Sequence, residues 1–210
     1  MVVQRKLERI KGIMGNIMRK LVFLAVSFIS NMLYAGPQVG EPAPDFRLRA
    51  SDGKTYTLSE FKQEKFVVIA FFPKAFTGGW TAECKALRDS DKQIRKFDVV
   101  YFMASTDSLE NNTGFAEKNQ ATFPILADST REMSQAYGVL TPVGFARRWT
   151  FYIDDTGIIR KIDKRVDVRR AGEQLVSNME ALGFPKSARW NLLRFPYPWL
   201  IRLKFIFAPD

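Results

Sequence analysis

The chain has 210 residues, one cysteine and no histidine, and its 32 Lys/Arg against 22 Asp/Glu give a formal net charge of +10. Without histidine, Ser-His-Asp and Cys-His catalysis and histidine-containing metal sites are excluded; with one thiol, so are an internal disulfide and a Cys-x-x-Cys redox pair. The charge sits at the ends, +5 on residues 1–35 and +4 on residues 184–210 against +1 on residues 36–183, so the body lacks the basic stripe of a nucleic-acid-binding domain and no nucleic-acid partner is expected.

In the amino-terminal stretch, Met18-Arg-Lys precedes an apolar run of 13 residues, Leu21–Leu33, and Ala35 stands before Gly36-Pro37. A basic start, a short apolar core and a small residue describe a secretory signal peptide over residues 1–35, with translation from Met18 as the simpler start and cleavage after Ala35. The run is short for a membrane span; an uncleaved anchor is the alternative. Either version places the domain outside the cytoplasm, periplasmic or secreted. A lone thiol there is either buried and inert or present for reaction.

The domain is expected over residues 36–183. Val39–Phe46 is an extended entry stiffened by Pro42 and Pro44. Phe46-Arg-Leu-Arg49 and Thr55-Tyr-Thr-Leu58, separated by Ser51-Asp-Gly-Lys54, form a β-hairpin. Ser59–Lys62 reads as a helical turn capped by Ser59. Phe66–Phe72 is a continuous apolar run, the pattern of a strand buried on both faces. Pro73–Gly79 is a loop. Thr81–Lys96 is a helix with Cys84, Leu87 and Ile94 facing in. Asp98–Ser105 is a second buried strand, and Ser108–Gln120 is a helix capped by Ser108 with Phe115 inward. Phe123–Ala127 is a short strand, and Thr130–Tyr137 a helix closed by Gly138. Trp149–Ile153 and Ile158–Ile162 flank a turn at Asp154–Gly157. Ala171–Leu182 is a last amphipathic helix. This succession argues an α/β fold, a central mixed sheet with helices on both faces and an N-terminal hairpin.

The segment Phe66–Asp89 is where chemistry is expected. Strand, loop and helix start place a site outside the carboxyl end of a buried strand. The first helical turn leaves backbone N–H groups unpaired and carries partial positive charge, so an anion there is stabilised. The residue at that place is Trp80; the only thiol, Cys84, lies one turn further in. After Gly183 the chain becomes aromatic and basic. Residues 190–207 read as a surface-seeking segment for peripheral contact with an anionic membrane or a partner, as a tail packed back on the domain, or as read-through sequence with no role.

Together, Val39-Gly-Glu-Pro-Ala-Pro-Asp-Phe46, the hairpin, Pro73-x-x-x-Thr77-x-x followed by position 80, Leu87-Arg-Asp89 and Arg148-x-Thr-Phe-x-Ile-Asp154 resemble a peroxiredoxin. The resemblance is to the bacterioferritin-comigratory type, within the alkyl hydroperoxide reductase and thiol-specific antioxidant group, and covers about residues 39–182. It implies a thioredoxin-like fold, no cofactor or metal, a peroxide substrate, and a thiol reductant such as a thioredoxin-like protein or a small thiol. It assigns the peroxidatic position to residue 80, the peroxide-orienting hydroxyl to Thr77, the activating guanidinium to Arg148 and the shielding turn to Pro73. The peroxidatic thiolate would attack a peroxide oxygen and become a sulfenic acid, which a second thiol resolves. Lowering a thiol from its usual ~8.5 by ~2 units takes roughly 2.7 kcal/mol, of which a helix terminus supplies ~0.3–1 and a guanidinium much of the rest.

Trp80 stands where the family has its reactive cysteine. Three readings follow. The codons for tryptophan (UGG), cysteine (UGU, UGC) and selenocysteine (UGA) differ only in the third base, and family members with Thr-Gly-Gly-x-Thr-Ala-Glu-Cys carry selenocysteine at x. Position 80 is then a selenocysteine written as Trp, and Cys84 its resolving partner. Alternatively Cys84 is the substitute thiol. In the third reading Trp80 is genuine, and the protein is a thioredoxin-fold binding protein without turnover.

Overall fold

The computed structural model describes residues 36–75 and 78–187, together with Met14 and Met18–Lys20. The chain divides into two units, Met1–Gly36 and Pro37–Asp210. In the first, Met14 and Met18–Lys20 are helical and exposed. The rest of the expected signal peptide, and the aromatic tail from residue 188 onward, lie outside the described residues. Among the described residues no helix is long and apolar enough to cross a membrane.

The second unit holds two sheets. β1 (Arg47–Arg49) and β2 (Thr55–Thr57) form the expected antiparallel hairpin, with Gly53 at φ +81°, a value that favours glycine, closing the turn. A 3-10 turn, Leu58–Phe61, follows. Ser59 does not cap it: Ser59 is inside the turn, and Asp45 Oδ1 accepts its backbone N–H at 3.0 Å. The main sheet has five strands in the order β5-β4-β3-β6-β7: β3 (Phe66–Phe71), β4 (Val99–Ser105), β5 (Ile125–Ala127), β6 (Thr150–Ile153) and β7 (Ile159–Asp163). β3 pairs parallel with β4 and antiparallel with β6, so the sheet is mixed, as expected.

The alternation of β3 divides the core. Val68, Ala70 and Phe72 enter one cluster, with Cys84, Leu87, Phe115, Leu175 and Met179 from helices α1 (Gly78–Asp89), α3 (Leu109–Asn119) and α5 (Ala171–Ala181). Val67, Ile69 and Phe71 enter the other, beneath Phe46 beside the hairpin and Met133 of α4 (Glu132–Ala136). A strand buried on both faces needs apolar residues at every position, which is why β3 reads as an unbroken run. Ser108 caps α3 as expected, its side chain accepting the Asn111 N–H at 3.2 Å.

The bounds of the central helix differ most from expectation, while β5 and α4 each begin two residues late, at Ile125 and Glu132. The central helix begins three residues early, at Gly78, so Trp80 lies in its first turn. It also ends at Asp89; after Ser90 the chain starts a separate short helix, α2 (Asp91–Ile94). The break sits where α5 crosses. A Cβ on Gly172 would overlap Ser90 Oγ and the Ala86 carbonyl, so the two helices meet backbone against backbone. Beyond Gly183 the chain stays on the domain for four more residues. Phe184 is buried in the first core, and the Ser187 N–H donates to the Lys96 carbonyl at 2.8 Å.

Candidate active site

β3 hands the chain to the loop through buried Phe72 and half-buried Pro73. Asp107 Oδ2 ties this loop to the end of β4, accepting the Ala75 N–H at 2.8 Å and the Ser105 hydroxyl at 3.0 Å. Thr77 lies outside the described residues, so its expected hydroxyl has no placement. α1 then opens with Gly78, Gly79 and Trp80, and its first turn carries no acidic residue to offset the helix terminus.

Trp80 is 1 % exposed. Its ring packs against Phe72 and meets Phe115 edge to face at 6.5 Å. The third neighbour is Arg148, which stands two residues before the start of β6. Its Cζ lies 5.2 Å from the Trp80 ring centroid, and its terminal nitrogens lie 3.5 and 3.8 Å from where a Cβ on Gly79 would stand. The guanidinium thus rests on the opening turn of α1 and on the side chain at position 80, the pairing that the resemblance implies.

A residue missed from the sequence completes the arrangement. Glu83 is 1 % exposed, and its Oε2 is 3.0 Å from Arg148 Nε. The N–H does not point along that line, so this is an ion contact and not an aligned hydrogen bond. Burial pushes the Glu83 carboxyl up to about 7; the charge of Arg148 opposes the rise. A cavity of about 10 Å3 lies between Glu83, Thr150, Tyr152 and Leu175, no more than one water needs. The guanidinium is therefore the main counterpart of this carboxyl. A signal existed: Glu83 is three residues after position 80 and four before Leu87, on the stripe that the apolar residues mark as inward.

Cys84 is fully buried in the first core. Burial pushes its thiol up to about 11, opposed by the charges of Arg88 and Lys85 and reinforced by that of Glu83. A thiol in that state is protonated at neutral pH and closed to solvent, with the properties of a small apolar side chain. The structure thus brings together position 80, Arg148 and Glu83, leaves Pro73 at the bend before them, and sets Cys84 one turn deeper. Among the described residues no group of three or more His, Cys, Asp or Glu side chains could hold a metal ion.

Residues 39–162 match the AhpC/TSA family. Peroxiredoxin Bcp of Bacillus subtilis is 32% identical over 139 residues, which span 63% of this chain and 88% of that protein. Alkyl hydroperoxide reductase E of Mycobacterium bovis is 38% identical over 125 residues, 58% of this chain and 82% of that protein. Among solved structures, PrxQ of Xylella fastidiosa superposes with a TM-score of 0.66 at 23% identity, covering 71% of this chain and 99% of that one. A peroxidoxin, BcpB, of Mycobacterium tuberculosis gives 0.62 at 24%, covering 69% of this chain and 97% of that one. The family match spans more than half of the chain, and the sheet order and helix layers agree with the thioredoxin-like fold of those structures. This chain therefore belongs to the AhpC/TSA family, the peroxiredoxins, with a tryptophan written at the head of its central helix.

Proposed function

We propose that the protein is a peroxiredoxin-type peroxidase whose reactive atom is a thiolate or selenolate at position 80. It reduces hydrogen peroxide or small organic hydroperoxides at the expense of a thiol donor, such as a thioredoxin-like protein, outside the cytoplasm. One observation carries the reading: a guanidinium, backed by a buried carboxyl, is held against both the first turn of α1 and side chain 80. The guanidinium balances Glu83 and also reaches side chain 80, so an anion at position 80 gains from it, and the helix terminus adds to the same field. The nucleophile attacks one peroxide oxygen, the O–O bond breaks, and the leaving oxygen departs as water or an alcohol after protonation. The oxygen bound to position 80 makes it a sulfenic or selenenic acid. A first thiol condenses with it and releases water. A second thiol attacks the mixed disulfide or selenenyl sulfide, which frees position 80 and leaves the two donor sulfurs as a disulfide. Cys84 serves as the first thiol only where α1 unwinds, because it is buried and protonated in the folded helix. The expected signal peptide sets the compartment, and residues 190–207 supply a peripheral membrane contact.

The test has two parts. The mass of the intact protein, or codon 80, identifies the residue. Peroxide consumption is then measured with Cys, selenocysteine and Trp at position 80, each with and without Arg148→Ala. Turnover with Cys or selenocysteine, lost on Arg148→Ala, is the expected result. Turnover indifferent to Arg148 would sink the mechanism.

A second reading has its own observation. Trp80 fills the space between Phe72, Phe115 and Arg148 with 1 % exposure, so a protein made with tryptophan has no room there for a peroxide. Such a protein binds and does not turn over. A UGG codon at position 80 selects this reading.

A further inference from the structure

The near-neutral body of the protein hides an asymmetry. Between Phe145 and Arg170 stand eight Lys/Arg and four Asp/Glu, a net +4, or +3 once Arg148, which turns into the first core against Glu83, is set aside; the remainder of residues 36–183 stands at −3. This stretch folds as β6, β7 and their flanks, and β7 is an edge strand of the main sheet. At its base lies Trp149, half-buried, packed against the second core. Two cations lie over its ring: the Arg147 guanidinium at 5.8 Å and the Lys164 ammonium at 4.3 Å from the centroid. Arg147, Lys164, Arg165 and Arg169 are all exposed. Among the described residues, none of these four has a carboxylate within ion-pair distance, whereas Arg160 and Arg170 are paired with Asp154 and Glu173.

We infer that this face, centred on Arg147, Trp149 and Lys164, is a docking surface for an anionic phospholipid bilayer. Charge complementarity selects an anionic occupant. An indole flanked by exposed cations suits the headgroup region, where an aromatic ring and a positive charge are both favoured. The carboxyl end that follows the domain carries the same sign, +4 on residues 184–210, with Trp190 and Trp199 in it. Several weak contacts on one chain reinforce each other through effective concentration. Arg148 turns the other way, into the first core against Trp80 and Glu83, so the docking face and the site at position 80 are separable by mutation.

The experiment is vesicle co-sedimentation of the mature chain, residues 36–210, using vesicles of phosphatidylcholine alone and of equimolar phosphatidylcholine and phosphatidylglycerol. Binding is expected only to the second, and is expected to weaken with salt. Arg147→Gln combined with Lys164→Gln is expected to weaken it roughly 25-fold, about fivefold for each cation removed near the surface. A control, Lys85→Gln with Lys92→Gln, removes the same net charge from exposed positions on α1 and α2, and is expected to leave binding within about twofold of the parent. Equal losses in the two double variants would overturn the assignment, leaving net charge alone as the cause; so would no loss in either. Binding to soluble polyglutamate as tight as to vesicles, with the same loss in the first variant, would overturn the bilayer in favour of an acidic protein.

Discussion

Glu83 sets the electrostatics of the site. Its carboxyl is 1 % exposed and titrates near 7, chiefly because burial disfavours its charged form. In the unfolded chain a glutamate titrates near ~4.3. Below that pH both states hold the proton. Between ~4.3 and about 7 the folded protein keeps a proton that the unfolded chain releases, so stability falls as pH rises, and the fall is complete above about 7. The full effect is on the order of 3 kcal/mol. Denaturant unfolding of the parent between about pH 5 and about pH 8 is expected to show this slope, and Glu83→Gln to flatten it. A slope unchanged in the variant would assign the titration elsewhere. Removing the partner acts the opposite way. Arg148→Met leaves a buried carboxyl without its counter-charge and pushes its titration higher still, at a cost of about 3–5 kcal/mol above neutral pH. The double variant Glu83→Gln/Arg148→Met is expected to recover most of that loss, a coupling that a double-mutant cycle measures. Trp80 has a cost of its own kind. Truncation to alanine empties the space between Phe72 and Phe115, and about 3–5 kcal/mol of stability is expected to go with it. A cysteine introduced at position 80 therefore carries a similar packing penalty, and its folded fraction must be measured beside its turnover.

At the scale of elements, α1 and α5 determine whether Cys84 can be reached. They cross at Gly172, where a Cβ would run into Ser90 and the Ala86 carbonyl. Gly172→Ala sets a gain in helix propensity of about 1 kcal/mol against overpacking of about 1–3 kcal/mol. The obstacle includes a backbone carbonyl, which cannot swing aside as a flexible side chain can, so net destabilisation is expected in thermal unfolding. The same packing shields the thiol. Cys84 in the folded parent is expected to resist alkylation by iodoacetamide and to react on unfolding, whereas Gly172→Ala, which loosens α1, is expected to raise the native-state rate. Rapid alkylation of the parent would contradict the buried placement. These elements also mark what the sequence could reveal. β3 was legible because a strand covered on both faces must be apolar at every position. The hairpin was legible from its Asp-Gly turn, and α3 from Ser108. The break after Asp89 was not, because local periodicity runs on to Ile94 and the helix packed there, at Gly172, is remote in the chain. Glu83 was missed because a charged residue in a helix reads as solvated until its partner is known. Arg148 was picked out through the family resemblance; nothing in its own neighbourhood distinguishes it from Arg147.

For the whole molecule, the question is which part of the chain makes the fold. The described members of both cores are drawn from Phe46 to Phe184, and β3 contributes alternate residues to each. The two cores are thus joined through one strand, and neither can be lost without exposing one face of β3. One cooperative transition follows, as for most single domains of this size. The last ties on the carboxyl side come from residues 184–187: Phe184 in the first core, the Asp98 N–H donating to the Pro185 carbonyl at 2.8 Å, and the Ser187 N–H on Lys96. On the amino side, the Gly40 N–H donates to the Ile159 carbonyl at 2.8 Å and the Ala43 N–H to that of Gly157 at 2.9 Å. A chain cut to residues 36–187 keeps all of these and carries 22 Lys/Arg against 20 Asp/Glu. It is expected to unfold in a single calorimetric transition within a few degrees of the full chain. A cut after Gly183 gives up the Phe184 ring and both backbone ties, and is expected to lower the transition well beyond that. Burying one phenylalanine is worth about 1.5–3 kcal/mol, and each kcal/mol is about 2–4 °C in a domain of this length. Equal transition temperatures for the two cuts would place the edge of the fold at Gly183, and the four residues beyond it would then be passengers on the surface.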